Sequence, residues 1–275
     1  MSKLDFKLYV ITGENYHPGR TLEDVMREAL HGGADIVQLR DKTAKEPELL
    51  EKARLLRRLT REFGVPFIVN DYPRLALEAE ADGVHIGQDD TGFSEVRELL
   101  GPDRIIGIST HSLEQALAAE DAGADYIGVG PVFPTGTKPG RKAVTLDYVR
   151  QAARHVRIPW VAIGGIHTGN AQEVLNAGAT RLCAVSAIVG SDDPASVCRK
   201  LKSMIQTSAG ADIMLNGTRH RTQAATLKQL VEENGLAGRR IVAEADGSII
   251  PREGWGETML RSGMTVELVH FVGGG

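Results

Sequence analysis

The first residues of chemical interest are Gln38, Arg40 and Lys42, which follow a short apolar segment. In an extended strand they share one face, because successive side chains point to opposite sides. An arginine presents a planar fork of donors to phosphate and a lysine presents a point charge, so this set suits a polyphosphate. The alternative is a solvated strand end whose cations pair with nearby acids.

Two carboxylates follow the next apolar segments, at Asp71 and Asp90. Mg²⁺ is commonly held by one or two carboxylates together with a substrate phosphate, so the pair predicts a magnesium site opposite the cations. The alternative is helix capping, near Pro73 for Asp71 and near Ser94 for Asp90. His85 is expected to be a hydrogen-bonded residue of the core, and we assign it no role.

Further polar groups end later segments. Ser109 either caps a helix or binds substrate, and the loop PTGTK (134–138) is rich enough in donors to hold an anion. The segments AIGGI (162–166) and AVSAI (184–188) offer backbone amides, and barrels commonly bind phosphate after their last two strands. The two glycines of AIGGI also suit close packing alone.

A repeated pattern in the sequence marks the helices and strands that must position these residues. In each repeat, a helical stretch ends at a glycine or another small residue, and a short apolar strand then begins. Glycine suits the left-handed position that closes a helix. The pattern occurs at Gly33-Ala34-Asp35, Ala81-Asp82-Gly83, Gly123-Ala124-Asp125 and Gly178-Ala179-Thr180.

Short apolar strands alternating with helices indicate βαβ units on a parallel sheet. The pattern predicts eight strands, at 7–12, 36–40, 66–70, 83–87, 105–109, 126–131, 159–164 and 181–186. The predicted fold class is α/β, with a (β/α)8 TIM barrel over residues 1–207. An open doubly wound sheet stays an alternative, because periodicity does not report closure. Barrel active sites lie at the C-terminal ends of the strands, where the polar residues above are found.

A second unit is predicted after a small-residue linker at 208–211. Residues 212–275 contain the segments IMLNG, RHRTQA, ATLKQLVEENG, IVAEADGSIIP and TVELVHFV, which indicate a small α+β domain with one helix. The sequence ends in three glycines, Gly273 to Gly275, which carry no side chains to pack.

Composition excludes several classes of protein. A net charge of −4 over 275 residues gives no support for nucleic-acid binding. Two cysteines make no disulfide framework, and no apolar run approaches the ~20 residues of a membrane span. We therefore expect a cytoplasmic protein that binds neither nucleic acid nor membrane.

The segments QLRDK, IVND, GVHIGQDD, GIST, PTGTK, AIGGI and AVSAI, in this order, resemble thiamine-phosphate synthase (thiamine-phosphate pyrophosphorylase) over residues 5–205. The resemblance implies a transferase that joins hydroxymethylpyrimidine diphosphate to thiazole phosphate, with Mg²⁺ as cofactor, and releases thiamine phosphate and pyrophosphate. It also implies a dissociative substitution, which explains why no Ser/His/Asp or Cys/His constellation stands out.

The resemblance implies roles for individual residues. The pyrimidine diphosphate would be bound by Gln38, Arg40, Lys42, Asn70, Ser109 and Lys138, of which Arg40, Lys42, Lys138 and Ser109 are the catalytic candidates. The thiazole phosphate would be bound by Thr135, Thr137, Gly165, Val185 and Ser186, and the metal by Asp71 and Asp90.

The C-terminal segments MLNG, GSIIPREGW and TVELVHFVGGG resemble the sulfur-carrier protein of thiazole biosynthesis, a β-grasp, ubiquitin-like fold. This resemblance implies that an E1-like adenylating enzyme activates the Gly275 carboxylate, which becomes a thiocarboxylate and donates sulfur to thiazole synthase. A carrier for another pathway is the alternative for this domain. For the barrel, the alternatives are a thiazole tautomerase and a non-catalytic docking module.

Overall fold

A computed structural model describes residues 4–134, 143–208, 210–222, 224 and 226–270. The chain divides into two compact units, Met1–Lys202 and Ser203–Gly275. In the part of the chain described, no helix is both long and apolar enough to cross a membrane.

The first unit is a closed barrel of eight parallel strands, each paired with its neighbours in sequence and the last with the first. Each predicted strand is confirmed to within two residues at either end, and closure excludes the open sheet. The strands are β1 (Leu8–Ile11), β2 (Ile36–Leu39), β3 (Phe67–Asn70), β4 (Gly83–Ile86), β5 (Ile105–Thr110), β6 (Tyr126–Val129), β7 (Trp160–Ile163) and β8 (Leu182–Ala184).

Helices follow the strands in the order expected of a TIM barrel. Thr21 and Ser112 cap two of them with their side chains, which accept hydrogen bonds from the first turn. The helices are α1 (Leu22–His31), α2 (Glu46–Phe63), α3 (Pro73–Glu78), α4 (Phe93–Leu100), α5 (Leu113–Asp121), α6 (Thr145–His155), α7 (Ala171–Asn176), α8 (Ser186–Val189) and α9 (Pro194–Ser208). The predicted end of the last strand is wrong by two residues, because Ser186 begins α8.

The aspartates of the helix-to-strand motifs attach one strand to the next. Each carboxylate accepts a hydrogen bond from a backbone amide near the start of the preceding strand and also pairs with a cation. The amide and cation partners are Leu8 and Lys202 for Asp35, Phe67 and Arg57 for Asp82, and Ile106 and Arg97 for Asp125. These side chains explain why the motif ends in an acid, beyond the glycine's role in ending the helix.

The interior of the barrel contains a cluster of aromatic side chains. The rings of Phe6, Tyr9 and Tyr126 pack with their centroids 5.8 to 6.1 Å apart. Each is almost fully buried, and burial of an apolar side chain of this size stabilises a fold by about 1.5–3 kcal/mol. The cluster fills the barrel beneath the polar residues that end the strands.

Among the described residues after α9, the second unit contains a five-stranded sheet and one α-helix, which matches the predicted β-grasp. Its strands are β9 (Ala211–Leu215), β10 (Thr218–Thr222), β11 (Ile241–Ala245), β12 (Ser248–Ile250) and β13 (Thr265–His270), in the order β10-β9-β13-β11-β12. The helix α10 (Leu227–Glu233) packs Leu227 and Leu230 against the sheet beside the buried Trp255.

Two tight turns shape this sheet. Asn216-Gly217 and Asp246-Gly247 have positive φ at both residues, as the favoured two-residue hairpin turns require. The second turn divides the segment IVAEADGSIIP into two antiparallel strands. Of the predicted linker, Ser208 ends α9 and Ala211 begins β9.

Candidate active site

A cavity opens at the C-terminal ends of the barrel strands and collects half of the fourteen predicted site residues. Its apolar wall includes Ile11, Ile163 and Ile166, which suit a flat aromatic ring. Seven residues named from the sequence line it: Gln38, Arg40, Asn70, Ser109, Gly165, Val185 and Ser186. The barrel therefore brings together side chains that lie up to about 150 residues apart in the chain.

Gln38 and Arg40 enter the cavity from β2 and the residues that follow it. Gln38 is 2% exposed and gives an amide hydrogen to the phenol oxygen of Tyr9 at 2.9 Å. The backbone of Arg40 is held by the Thr12 hydroxyl, which accepts from the Arg40 amide at 2.9 Å. Among the described residues, no partner is found for the buried Nε of Arg40. A buried guanidinium nitrogen without a partner is costly, and an anionic substrate would satisfy it.

Lys42, Asp71 and Asp90 form a second polar cluster beside this cavity. Lys42 makes an ion pair with Asp71, whose carboxyl group in turn contacts that of Asp90. Burial raises the pKa of the Asp71 carboxyl above its usual value, and the adjacent Asp90 raises it further against the opposing effect of Lys42. Two carboxylates held together in this way are suited to share a cation.

The carboxylate pair fits Mg²⁺ bound with substrate, and it does not form a complete protein cage. Within the described ranges, no group of three or more His, Cys, Asp or Glu side chains is placed to hold a metal ion. Mg²⁺ sites often use only one or two carboxylates and take the remaining ligands from water and substrate phosphates. Asp71 and Asp90 meet that requirement, and Asp71 directly follows Asn70 of the cavity wall, although neither carboxylate lines the cavity itself.

The capping alternatives for these residues are wrong. Tyr72 is the N-cap of α3 and Gly92 that of α4, and neither helix has a side-chain cap. Asp71 instead has a left-handed backbone, with φ of 64°, a conformation that non-glycine residues adopt mainly where the surroundings demand it. Asp90 accepts a hydrogen bond from the Gly87 amide at 2.7 Å.

Ser109 is likewise not a helix cap, because Ser112 caps α5. Its hydroxyl oxygen lies 2.9 Å from Nε2 of His85 at the cavity wall. His85 is hydrogen-bonded, as expected, through both ring nitrogens. Its position in the cavity is not evident from the sequence, because the neighbouring residues in β4 form an ordinary apolar strand.

Gly164 and Gly165 serve both close packing and the cavity. A Cβ at Gly164 would lie 2.4 Å from Cα of Pro131, and one at Gly165 would lie 2.8 Å from the Pro134 carbonyl oxygen. Both glycines have positive φ, so any side chain would be strained as well as crowded. Their backbone lines the cavity beside Ser186 at the start of α8.

The other predicted site residues, Thr135, Thr137, Lys138 and Gly275, lie outside the described residues. Sequence reasoning missed Tyr9 and Tyr126, whose phenol oxygens are 2.7 Å apart inside the barrel. The sequence did contain a signal for this pair: β1 and β6 are apolar strands, and each carries one tyrosine, with its hydroxyl group, at a position that faces into the barrel. It also missed Asp41, which anchors the loop that carries Lys42.

Comparison with known proteins decides the family. A model described as "Thiamine monophosphate synthase" matches residues 8–188, and a model described as "ThiS family" matches residues 213–275. The chain belongs to the thiamine-phosphate synthase family. It is a transferase, and it joins a thiamine-phosphate synthase domain to a ThiS family domain within one thiamine biosynthesis protein.

Individual relatives cover the barrel domain. The thiamine-phosphate synthase of Shouchella clausii is 52% identical over 205 residues, which span 74% of this chain and 98% of the relative. That of Halalkalibacterium halodurans is 51% identical over 203 residues, with 74% and 96% covered. The solved thiamine phosphate pyrophosphorylase from Pyrococcus furiosus has a TM-score of 0.67 at 40% identity, and the match covers 73% of this chain and 95% of that one.

Proposed function

We propose that the barrel joins hydroxymethylpyrimidine diphosphate to thiazole phosphate and releases thiamine phosphate and pyrophosphate. The observation that carries the proposal is one cavity lined by two sets of residues. Gln38, Arg40, Asn70 and Ser109 form the first set, and Gly165, Val185 and Ser186 form the second on β7, β8 and the residues after them. A cavity of this kind can place an electrophile and a nucleophile side by side.

The reaction requires charge neutralisation more than proton transfer. As the carbon–oxygen bond to the diphosphate breaks, negative charge develops on the departing group and positive charge on the pyrimidine methylene carbon. Arg40, Lys42 and Lys138 would stabilise the diphosphate, and the thiazole nitrogen would attack the methylene carbon. Mg²⁺, held by Asp71 and Asp90, would supply further neutralisation on the phosphate oxygens when bound.

The second set of residues would orient the nucleophile. Backbone amides at Gly165 and Val185, together with the Ser186 hydroxyl, would hold the phosphate of the thiazole, with Thr135 and Thr137 completing the site. Anchoring this phosphate fixes the thiazole nitrogen toward the methylene carbon, which replaces a bimolecular encounter with a local one.

We further propose that the C-terminal domain carries sulfur as a thiocarboxylate on Gly275. The match of residues 213–275 to the ThiS family and the β-grasp sheet support this role. Its partners would be an E1-like adenylating enzyme and thiazole synthase.

The free and buried thiols of Cys183 and Cys198 support a cytoplasmic location.

The barrel is tested by pyrophosphate release from the two substrates, with each substrate and Mg²⁺ omitted in turn. We expect release only with both substrates and the metal, and a loss of about a hundredfold or more in Asp90→Ala. Asp89→Ala is the matched control, because it removes the neighbouring acid, which we assign no role. Thiazole isomerisation without pyrophosphate release would favour a tautomerase, and no turnover at all would favour a docking module.

The carrier is tested by intact mass after incubation with ATP, a sulfur source and the activating enzyme. Exchange of oxygen for sulfur through an acyl-adenylate adds about 16 Da. Deleting Gly274 and Gly275 should abolish the gain and leave pyrophosphate release intact, whereas Asp90→Ala should do the reverse. Loss of both activities in either folded variant would contradict independent domains.

A further inference from the structure

A continuous line of hydrogen bonds crosses the interior of the barrel beneath the cavity. It begins at Gln38, whose Nε2 donates to the Tyr9 phenol at 2.9 Å, and passes to the Tyr126 phenol over 2.7 Å. From there it reaches Nδ1 of His85 over 3.0 Å, and Nε2 of His85 lies 2.9 Å from the Ser109 hydroxyl. The line thus connects two residues of the proposed pyrimidine diphosphate site through three residues that have no assigned role.

The barrel is built to accommodate this line. Tyr9 is 1% exposed and Tyr126 is fully buried, so neither phenol exchanges its partner for bulk water. On the strand beside Tyr126, a Cβ at Gly107 would lie 2.1 Å from Cζ of the Tyr126 ring. Only glycine leaves room for the phenol at this place, which indicates that the tyrosine occupies a specific position.

Proton counting assigns a direction to the line. A phenol has one hydrogen to donate, and a buried hydroxyl that donates to nothing costs free energy. Because Gln38 donates to Tyr9, the direction that gives each phenol hydrogen an acceptor in this line runs from Tyr9 to Tyr126 and from Tyr126 to Nδ1 of His85. His85 then carries its hydrogen on Nε2 and donates it to the Ser109 oxygen.

With this direction, each end of the line presents one kind of hydrogen-bonding group to the cavity: an acceptor at Gln38 and a donor at Ser109. At one end, the amide nitrogen of Gln38 donates to the Tyr9 phenol beneath the cavity. The carbonyl oxygen of the same amide is therefore left to accept a hydrogen bond from a substrate donor such as a ring amine. At the other end, the Ser109 oxygen receives a hydrogen from His85, so its own hydrogen is available for an anionic oxygen. If every hydrogen bond in the line ran the other way, Gln38 would present a donor to the cavity and Ser109 would present an acceptor.

We propose that Tyr9, Tyr126 and His85 are positioning residues that fix the polarity of Gln38 and Ser109 toward the substrate. The proposal rests on the proposed function, since it takes these two residues to face the pyrimidine diphosphate. It adds a specificity device: a site of fixed polarity accepts an amino-bearing ring and rejects an analogue that bears an oxo group at the same position.

The tautomer of His85 is the direct test, and it needs no substrate. In full-length protein labelled with ¹⁵N-histidine, the His85 signals are those missing from His85→Gln. Long-range ¹H–¹⁵N correlations of the wild type should show a hydrogen on Nε2 and none on Nδ1. A hydrogen on Nδ1, or on both nitrogens, would overturn the proposed direction even in an enzyme with full activity.

Tyrosine variants test the connection. Tyr126→Phe removes the donor to Nδ1, so the His85 signals should move toward a mixture of tautomers. Tyr148→Phe is the matched control, because it also removes a buried phenol, here 2.6 Å from the Thr110 hydroxyl and outside the line. Unchanged His85 signals in Tyr126→Phe, or equal changes in both variants, would refute the coupling.

Kinetics provide the functional measurement. Tyr9→Phe and Tyr126→Phe should each lower kcat/KM for the pyrimidine diphosphate about tenfold and leave KM for the thiazole phosphate unchanged. The preference for the amino-bearing substrate over its oxo analogue should fall by about the same factor, with Tyr148→Phe retaining it. An equal loss for both substrates with the preference intact would indicate a merely structural role and refute the proposal. Absence of turnover in the wild type would refute the proposed function and leave the tautomer result valid.

Discussion

Lys42 and Asp71 form an ion pair that joins the C-terminal ends of the second and third barrel strands. The lysine is about half exposed, with 47% of its side chain accessible, whereas the aspartate is 12% accessible and also contacts Asp90. A half-exposed lysine therefore compensates the charge of a carboxylate pair. In the proposed reaction, a cation bound with substrate would take over that role and leave the ammonium group available to the diphosphate.

The first prediction concerns this lysine. Lys42→Gln should lower kcat/KM for the pyrimidine diphosphate about a hundredfold, because it removes a charge placed on the leaving group. Steady-state kinetics with each substrate varied should place the loss on the diphosphate and leave KM for the thiazole phosphate unchanged. Lys45→Gln removes an exposed lysine three residues along and should have no effect. A comparable loss in both variants would count against a specific role for Lys42.

The loop that carries Lys42 is anchored by Asp41, which is buried. Its carboxylate accepts hydrogen bonds from the Thr43 amide at 2.9 Å and from the Ala44 amide at 3.0 Å, and it pairs with Lys52 at 2.8 Å. Burial alone would raise the pKa of the Asp41 carboxyl, but Lys52 and these donors hold it well below its usual range.

The second prediction follows from the sign of that shift. A carboxyl whose pKa is lowered by folding stabilises the protein above its unfolded value of about 3.9, and this contribution is lost as the pH falls toward the folded value. The difference in free energy of unfolding between wild type and Asp41→Asn should therefore be largest near neutrality and shrink below about pH 4. Urea unfolding from pH 7 to pH 3 measures it, with Glu51→Gln as an exposed control. A difference that stays constant over this range would contradict the prediction.

Much of the barrel was predictable because its strands are buried on both faces. Such strands appear as short apolar runs, and glycines at the preceding helix ends mark where each begins. Polar residues at the ends of these runs, such as Gln38 and Asn70, stood out because an apolar strand gives no structural reason for them. Periodicity alone did not report closure and left an open sheet as the alternative, since closure depends on pairing of β1 with β8 across the whole domain.

Other features depend on contacts that a linear pattern does not contain. Tyr9 and Tyr126 are 117 positions apart, and their hydrogen bond follows from which inward positions come level in the closed barrel. Ser186 is predicted as strand because apolar residues surround it, yet it begins α8. The role of Asp41 was hidden because an acid between two cations indicates local charge pairing as readily as a loop anchor.

The third prediction concerns the aspartates that attach neighbouring strands. Asp125 accepts from the Ile106 amide at 2.9 Å and from Arg97 at 2.6 Å, with 15% of its side chain accessible. Asp125→Ala leaves both donors without this partner and should cost about 2–4 kcal/mol of unfolding free energy, measured by urea unfolding. Asp125→Asn should cost less, because an amide oxygen still accepts from Ile106.

The control for this prediction is Asp147→Ala. Asp147 pairs with Arg150 at 2.6 Å, but 79% of its side chain is accessible, and surface pairs contribute within about 0.5 kcal/mol. Equal losses in Asp125→Ala and Asp147→Ala would show that the amide contact does not hold the strands together.

The last prediction concerns the glycine beside the buried tyrosine. A Cβ at Gly107 would lie 2.3 Å from Cε1 and 2.5 Å from the phenol oxygen of Tyr126, so Gly107→Ala must displace the ring or the strand. Overpacking of this kind costs about 1–3 kcal/mol, and displacement of the phenol should also weaken its hydrogen bond to His85. Gly128→Ala on the neighbouring strand is the control for stability, because its Cβ would make ordinary contacts no closer than 3.6 Å. In Gly107→Ala, the midpoint temperature of thermal unfolding should be well below that in Gly128→Ala. The reverse order would mean that the barrel accommodates the methyl group without moving Tyr126.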